Sequence, residues 1–178
     1  MNDNGFMGGL SPEQAEAIMQ VHKENKEILD AMEPTILIRY HNPDARGPGG
    51  VRQAHIGEWF DLRAAHDYNL SPGEFAYVNL GVSIAVPYGY EAILAPRSST
   101  FKKYGIIQTN GIGVIDETYA GDTDIWQMPV FCLRECHIKA GDRIAQFRIQ
   151  RNQGHPMVKE VSRMNRESRG GLGSTGTN

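Results

Sequence analysis

Short runs of apolar, β-branched and aromatic residues follow one another along most of the chain. Between residues 35 and 150 they include TILIRY, FAYVNL, GVSIAV, EAILA, PVFCL and RIAQFRI. Polar, glycine- or proline-rich breakers separate them, such as NPDARGPGG, SPGE, PYGY, NGIG, YAGDTD and KAGD. Strands with turn signals about every ten residues are typical of an all-β sandwich or barrel. The pattern predicts one compact β domain over residues 35–160, without βαβ alternation or internal repeats.

An N-terminal extension, residues 1–34, has a different pattern. In SPEQ, Ser11 is a good N-cap, proline suits the first helical position, and Gln14 is placed to close a capping box. We predict a helix over about residues 12–32 that ends before Pro34. Its stripe is formed by Ile18, Val21, Asn25, Ile28 and Met32. The stripe fits either a short coiled-coil seam with one polar position or an amphipathic helix lying against its own domain.

The C-terminal segment, residues 161–178, is polar and then glycine-rich, ending in ESRGGLGSTGTN. Such a composition fits a loose tail, because ordering it costs much chain entropy. It also fits an arm that becomes ordered on a ligand, since glycines let backbone N–H groups approach phosphate closely.

Charge and cysteine content narrow the class of protein. The formal net charge is only −3, so the whole surface is not expected to attract nucleic acid or an acidic membrane, and any anionic ligand needs local cations. Cys132 and Cys136 are too few for a disulfide framework, which favours buried free thiols over a zinc site. The chain has no apolar run of membrane-spanning length and no signal-peptide pattern, so a reducing cytoplasm is expected.

Two stretches combine turn residues with groups that suit a nucleotide. APRSSTFKKYG, residues 95–105, places an arginine and two hydroxyls after a strand, which suits a phosphate but also fits a solvated turn. TNGIGVIDETYAGD, residues 109–122, predicts a glycine-containing β-hairpin that a flat ligand could approach. Asp116 and Tyr119 follow it; the aspartate is either a general base beside an aromatic wall or a turn cap beside a packed tyrosine.

Two further stretches carry charged residues between apolar ones. AGDRIAQF, residues 140–147, predicts a tight Gly-Asp turn and then a strand with Arg143 and Gln146 along it. In WFDLRAA, Asp61 lies between large apolar side chains, so its carboxylate is expected to have a specific partner.

Together and in this order, these stretches resemble the motifs of the trimeric dUTPase family, in the form carried by bacteria and their phages. WFDLRAA, PRSS, NGIGVIDETYAGD, GDRIAQF and GGLGSTG match the first to fifth motifs. The resemblance implies a jelly-roll-like β domain, a homotrimer with active sites at subunit junctions, and exchange of C-terminal arms. It also implies hydrolysis of dUTP to dUMP and pyrophosphate with Mg²⁺, in the bacterial or host cytoplasm.

The resemblance assigns roles at the reacting phosphate. Asp116 orients and deprotonates the attacking water, and Gln146 lies near the α-phosphate or that water. Tyr119 lies beneath the deoxyribose and leaves no space for a 2′-hydroxyl. The phosphate-binding residues are Arg97, Ser98 and Ser99.

The base and the metal complete the implied site. Asn110 and the hairpin backbone around Gly111 read the uracil edge and exclude the methyl group of thymine, through Gly113, Val114 and Ile115. Magnesium is held mainly by phosphates and water. Asp61 would bond either to waters of the metal or to the third-motif hairpin.

The fifth motif departs from the family pattern. Arg169 is the expected contact to the γ-phosphate, with Arg166 as substitute, because the spacing to the glycines is two residues shorter. The other arm contacts are Gly171, Leu172, Gly173, Ser174 and Thr175. Leu172 stands where the family has a phenylalanine that stacks on uracil, so Trp126 is a candidate for covering the base instead.

Two alternatives accompany this interpretation. A dCTP deaminase of the same fold shares the RSS motif, but Lys102 stands in place of the arginine that it needs, and no matching glutamate segment follows Gly121. A dUTPase with a second role is the other alternative, in which the N-terminal helix binds a regulatory protein.

Overall fold

The computed structural model of the chain describes residues 11–31, 34–51, 57–154 and 156–168. Eleven strands and three helices lie in these ranges. The helices are α1 (Pro12–Ala31), α2 (Pro43–Arg46) and α3 (Thr100–Tyr104). The strands are β1 (Leu37–Tyr40), β2 (Phe60–Arg63), β3 (Tyr68–Leu70), β4 (Phe75–Asn79), β5 (Val82–Ala85), β6 (Tyr90–Pro96), β7 (Ile106–Gln108), β8 (Gly113–Asp116), β9 (Gln127–Cys132), β10 (Cys136–Ile138) and β11 (Arg143–Arg151).

The strands pair in antiparallel fashion into four sheets around one hydrophobic core. The sheet orders are β1-β5, β10-β3, β2-β11-β6-β8 and β4-β9-β7. The prediction of an all-β domain is therefore confirmed. Within the described ranges the sheets do not close into a barrel.

Strand β11 organises the largest sheet, because it pairs with β2 along one edge and with β6 along the other. The tight turn before it follows the predicted Gly-Asp pattern: Gly141 has a φ of +87°, and the N–H of Asp142 donates to the carbonyl of Lys139 at 3.0 Å. Inward-facing Ile144 and Phe147 of β11 are fully buried. This strand thus carries both core residues and, on its other side, polar residues of the fourth motif.

Trp126 belongs to that core. Its side chain is 1% exposed and packs edge-on against Phe147, with ring centroids 5.1 Å apart. Its carbonyl accepts a bond from the N–H of Leu80 at 2.9 Å, and its N–H donates to the carbonyl of Val82 at 2.8 Å. The candidate role of Trp126 as a cover for uracil is therefore wrong, because a ring buried in the centre of the domain cannot reach a bound base.

Helix α1 begins with both hydrogen bonds of a capping box. The N–H of Ser11 donates to Oε1 of Gln14 at 2.8 Å, and the N–H of Gln14 donates to Oγ of Ser11 at 3.2 Å. Ile18 and Val21, two positions of the apolar stripe, are exposed. The alternative of an amphipathic helix lying against its own domain requires these positions to be covered. At Ile18 and Val21 the stripe is not covered by the β domain.

The two cysteines are buried free thiols, as predicted. Sγ of Cys132 donates to the carbonyl of Arg134 at 2.7 Å, and burial raises the pKa of Cys136 to about 11. The Cys136 thiol is therefore protonated at neutral pH, and both cysteines act as small core residues. No helix in the described ranges is both long enough and apolar enough to span a membrane.

Candidate active site

Asp61, Gln146 and Arg97 come together because their strands are neighbours. Gln146 on β11 lies directly opposite Asp61 on β2 and opposite Ala95 on β6. Arg97 follows the last residue of β6, and Nε2 of Gln146 donates to the carbonyl of Pro96 at 3.2 Å. The first, second and fourth motifs thus form one polar group at one end of the largest sheet.

Two arginines neutralise the Asp61 carboxylate. Nε of Arg97 donates to Oδ1 at 2.6 Å, and Nη1 of Arg143 donates to Oδ2 at 3.0 Å. The Asp61 side chain is only 15% exposed, so these bonds satisfy a carboxylate that would be costly to bury alone. The predicted contact of Asp61 with the third-motif hairpin is not made within this chain, where its partners come from the second and fourth motifs. Asp61, Arg97 and Arg143 form a charged triad, called the Asp61 triad, which carries one excess positive charge.

Arg97 is held in a way that leaves its outer edge for a ligand. Its Nε faces Asp61, and no bond joins either Nη atom to a residue in the described ranges. A guanidinium fixed through Nε can offer both Nη groups to two oxygens of one phosphate. The geometry therefore suits an anion beside Arg97.

The two serines of the second motif lie in the turn that leads into α3. The turn is fastened to β11, since the N–H of Arg97 and the hydroxyl of Thr100 both donate to the carbonyl of Ile144, at 3.3 and 2.7 Å. Ser98 is exposed, and the Ser99 side chain makes no capping bond to the helix. Neither hydroxyl makes a hydrogen bond within the described ranges, so a bound anion could use them.

The third motif departs from the predicted hairpin. Strand β7 pairs with β9, whereas β8 pairs with β6, so the two strands flanking the NGI turn belong to different sheets. The turn is tightened by Gly111, whose φ is +69° and whose N–H donates to the carbonyl of Gln108 at 3.3 Å. The chain thus crosses from one sheet to the other at this point.

Strand β8 presents its residues unequally. Gly113 is buried, and a Cβ there would lie 3.1 Å from Cβ of Leu94, so a larger residue would require Leu94 to shift by a few tenths of an ångström. Val114 is exposed and Ile115 is half-buried. Beside the turn, Asn110 is exposed and its Oδ1 accepts a bond from Nε2 of Gln108 at 2.8 Å.

Asp116 ends β8 with an exposed, oriented carboxylate. Its Oδ1 accepts bonds from the hydroxyl and the N–H of Thr118, at 2.5 and 2.8 Å. These two bonds, the hydroxyl's first, hold the pKa of Asp116 below its ordinary value of 3.8. The carboxylate is therefore ionised at neutral pH, and Oδ2 is left to accept a proton from a water.

Tyr119 follows on the same turn. Its ring is 45% exposed, and its hydroxyl lies 3.5 Å from the carbonyl of Ile125, at the limit of a hydrogen bond. Its N–H donates to the backbone carbonyl of Asp116 at 3.3 Å, which fixes the two residues relative to one another. The carboxylate and the aromatic ring therefore belong to one turn, and both are exposed.

Within one chain, the polar group around Arg97 and the Asp116–Tyr119 pair lie far apart. Asp116 lies opposite Glu91 near the start of β6, while Arg97 follows its end. With a rise of about 3.3 Å per residue, six residues separate them by roughly 20 Å along the strand. The structure thus places two groups at opposite ends of one strand. One is a candidate anion-binding group formed by Arg97, Ser98, Ser99 and Gln146, and the other is formed by Asp116 and Tyr119.

Three residues that the structure places among the site residues had no site role assigned from the sequence. Thr118 has a recognisable signal, because a threonine two residues after an aspartate favours a side-chain bond to it. Arg143 was noted on its strand, but its bond to Asp61 spans 82 positions. Gln108 has no local signal beyond being polar at an inward-facing strand position.

Removing the Thr118 hydroxyl should raise the pKa of Asp116. If Asp116 is the predicted general base, it must be ionised, so we expect turnover to fall as the pH drops through this pKa. In Thr118→Val the acidic limb of kcat/KM should therefore move to higher pH, because the largest cause of the depressed pKa is gone. Parallel profiles of wild type, Thr118→Val and the control Thr123→Val would check this; coincident limbs in all three would contradict it.

The arm residues from Arg169 to Thr175 lie outside the described residues, whereas Arg166 is described and exposed. Within the described ranges, no group of three or more His, Cys, Asp or Glu side chains could hold a metal ion.

Comparison with known proteins identifies relatives of this arrangement. The family model described as dUTPase matches residues 57–177. The chain is 53% identical over 127 residues to the SPbeta prophage-derived deoxyuridine 5′-triphosphate nucleotidohydrolase YosS of Bacillus subtilis, covering 71% of this chain and 89% of the relative. It is 40% identical over 121 residues to deoxyuridine 5′-triphosphate nucleotidohydrolase of Mus musculus, covering 67% and 72%.

Solved structures share the fold. A mutant dUTPase of Staphylococcus bacteriophage 80alpha with dUpNHpp superposes with a TM-score of 0.66 at 22% identity, covering 80% of this chain and 99% of that one. A mutant dUTPase from phage phi11 of S. aureus, described with a structural Mg(II) ion, has a TM-score of 0.62 at 22% identity, covering 73% and 98%.

Proposed function

The chain belongs to the dUTPase family, and we propose that it hydrolyses dUTP to dUMP and pyrophosphate at sites shared between copies of the chain. The observation that carries this proposal is the Asp116 carboxylate, which is ionised, oriented by Thr118 through one oxygen and open at the other. It shares a turn with the exposed Tyr119 ring, inside the segment that the family model matches.

Asp116 acts as the general base for the attacking water. Its Oδ2 accepts the water's proton while the water oxygen forms a bond to the α-phosphorus. The bond from that phosphorus to the bridging oxygen breaks, and pyrophosphate leaves with the electron pair. The depressed pKa keeps the base ionised, and the exposure of the carboxylate lets a water reach it.

The anion-binding group holds the triphosphate. Arg97 offers its two Nη groups, Ser98 and Ser99 offer hydroxyls, and Gln146 lies beside them on the next strand. The excess positive charge of the Asp61 triad favours a polyanion here. Asp61 itself positions Arg97.

The third motif recognises the nucleoside. Asn110 and the backbone of Gly113, Val114 and Ile115 read the uracil edge. The base lies close to this backbone, so that a thymine methyl group has no space. Tyr119 packs against the deoxyribose and excludes a 2′-hydroxyl sterically.

Magnesium enters with the nucleotide. Mg²⁺ in such a site would keep several waters and be bound mainly through substrate phosphates. When bound, the ion neutralises phosphate charge. A water-mediated contact from Asp61 stays a prediction, and the two arginines already occupy both of its oxygens.

A homotrimer brings the two groups of the site together across subunit junctions. The separation of Asp116 from Arg97 along β6 supports this, because neither group alone could hold and hydrolyse dUTP. The outer face of the β4-β9-β7 sheet supports association as well, since it presents an apolar stripe formed by Phe75, Tyr77, Ile107, Pro129 and Phe131. Burying such a stripe against another copy is favourable.

Shared sites predict complementation between inactive chains. Arg97→Ala lacks the anion-binding group and Asp116→Asn lacks the base, so each alone should be nearly inactive. After unfolding and refolding together, mixed trimers should contain some junctions with both groups intact, and activity should return. Pyrophosphate release that stays at the level of the single variants would contradict sites shared between chains.

The C-terminal arm, residues 161–178, closes over the nucleotide of another subunit. Arg169 contacts the γ-phosphate, and Leu172 covers the uracil without aromatic stacking. The remaining contacts come from Gly171, Gly173, Ser174 and Thr175. The cost of ordering this glycine-rich arm is offset by charge-assisted bonds of roughly 1.5–3 kcal/mol each.

A second role is proposed for helix α1, as a surface for a regulatory protein. Its exposed Ile18, Met19 and Val21 form an apolar strip outside the segment matched by the family model. Related phage enzymes are described as controlling transfer of virulence genes by a G protein-like mechanism. Deleting residues 1–33 should leave hydrolysis and the trimeric state unchanged; loss of either would assign the helix to the enzyme itself.

The activity is tested by pyrophosphate release from dUTP, dCTP, UTP and dTTP, with Mg²⁺ and with excess chelator. We expect rapid release from dUTP alone and a large loss on chelation. Release from dCTP at a rate matching dUTP would contradict a uracil-specific hydrolase, and release from UTP would contradict the steric role of Tyr119.

A further inference from the structure

Gln108 is a polar residue inside the core. It lies on β7 opposite Val130, and its side chain points inward like that of Ile106 two residues earlier. It is only 8% exposed. A buried carboxamide needs hydrogen-bond partners, and where they lie determines which way the group faces.

The partners of Gln108 fix the orientation of its amide. Its Nε2 lies 3.3 Å from the backbone carbonyl of Leu94, which can only accept a bond. If the amide were turned over, two oxygens would face each other there. Nε2 must therefore point this way, and its second hydrogen is donated to Oδ1 of Asn110 at 2.8 Å.

This orientation is passed on to Asn110. Because the Asn110 oxygen faces the NH₂ group of Gln108, the Asn110 NH₂ group must face away from it, on the exposed side of the turn. An amide held in this way offers a donor to a ligand and withholds its acceptor. The two hydrogen bonds that link Leu94, Gln108 and Asn110 thus determine which polar group of Asn110 the turn exposes to a ligand.

Gln108 makes this contact at a cost. Its Oε1 is buried, and no donor within the described ranges bonds to it. An unpaired buried acceptor destabilises a fold, whereas an apolar side chain of similar size would fill the space without this loss. A glutamine here is therefore poorly explained by stability and better explained by what it does to Asn110.

We propose that Gln108 is a positioning residue for base selection, which sets the Asn110 amide so that Nδ2 donates to the 4-carbonyl of uracil. Cytosine carries an amino group at that position, and two donors would face each other. The inference rests on the proposed uracil site of the third motif. Gln108 lies directly under it, since its Nε2 is 3.7 Å from where a Cβ on Gly113 would be.

The test compares Gln108→Leu with wild type and with Met128→Leu, a volume-conserving change in the buried face of β9. Thermal unfolding, kcat and KM for dUTP and dCTP, and the affinities of the α,β-imido analogues of both nucleotides are measured. In Gln108→Leu the melting temperature should be unchanged or higher. The preference for dUTP over dCTP should fall by about fivefold or more, mainly through KM, as expected for losing one oriented hydrogen bond. Met128→Leu should keep the wild-type ratio.

A second variant reverses the polarity. In Gln108→Glu the buried carboxyl stays protonated, so its O–H donates to the carbonyl of Leu94 and its other oxygen accepts a bond from Nδ2 of Asn110. The Asn110 oxygen is then turned outward. The dUTP preference should then fall further than in Gln108→Leu. If Gln108→Glu does not fold, Gln108→Leu decides alone.

An unchanged dUTP-to-dCTP ratio in folded Gln108→Leu overturns the inference while leaving the hydrolase intact. A wild-type protein that releases no pyrophosphate from dUTP would overturn the proposed function instead. The two analogue affinities still test Gln108 in that case, because they need no hydrolysis.

Discussion

Asp116→Asn should lower kcat for dUTP by a factor of about 10² to 10⁴, the usual contribution of a positioned general base. The amide still accepts bonds from Thr118 and still contacts a water, but it cannot take the water's proton. Binding of dUpNHpp should stay close to wild type, because the triphosphate and the base contact other residues. Steady-state kinetics and calorimetric titration with the analogue measure the two quantities separately.

The neighbouring Glu117→Gln is the matched control. It removes one carboxylate charge a single residue away, and the amide oxygen can still accept the bond from the N–H of Gly89. Its kcat should remain near that of wild type. The control therefore measures the effect of removing a negative charge from the turn, apart from the loss of the proton acceptor. Wild-type turnover in Asp116→Asn would remove Asp116 from the base role, and an equal loss of analogue binding would make it a binding residue.

The strands that carry the fold were predictable from local pattern. The segments that became β4, β5, β6, β9 and β11 alternate or cluster apolar residues between glycine and proline breakers, and all of them form. The three-residue strands β3, β7 and β10 were missed, because so short a stretch gives too few positions for a period to be recognised.

Pairing between strands was less predictable than the strands themselves. TNGIG resembles a hairpin turn, yet β7 and β8 join different sheets. A local pattern reports that the chain turns, but the partner of each strand is set by residues far away: β9 lies after β8 in the chain, and β6 before β7. The same holds for Trp126, whose burial depends on Phe147 and not on its own neighbours in sequence.

For the candidate site, the motifs identified the functional side chains but not their partners. Asp61 was expected to need a partner, and both arginines that bond to it come from distant segments, 36 and 82 positions along the chain. Gln108 was missed because its effect on Asn110 depends on the Leu94 carbonyl, which no residue pattern specifies.

Asp61→Ala should cost about 3 kcal/mol of folding free energy, because two charge-assisted bonds are lost and two guanidinium groups are left facing each other, one of them largely buried. At a temperature where the variant is folded, kcat/KM for dUTP should also fall by a factor of order 10², since Arg97 loses the bond that aims its Nη groups and small misplacements of a binding group cost this much. Denaturant unfolding and kinetics measure the two effects.

Two other variants separate these effects from the mere loss of a surface charge. Asp122→Ala removes the exposed ion pair with Arg39, and exposed pairs contribute less than about 1 kcal/mol, so its stability should hardly change. Arg143→Met leaves the bond between Asp61 and Arg97 intact and removes the more exposed partner, so most of the activity should remain. If Arg143→Met loses as much activity as Asp61→Ala, then Arg143 contacts the substrate and Asp61 positions both arginines. If Asp61→Ala keeps wild-type kcat/KM, Arg97 does not depend on Asp61, and its alignment comes from the turn fastened to the Ile144 carbonyl alone.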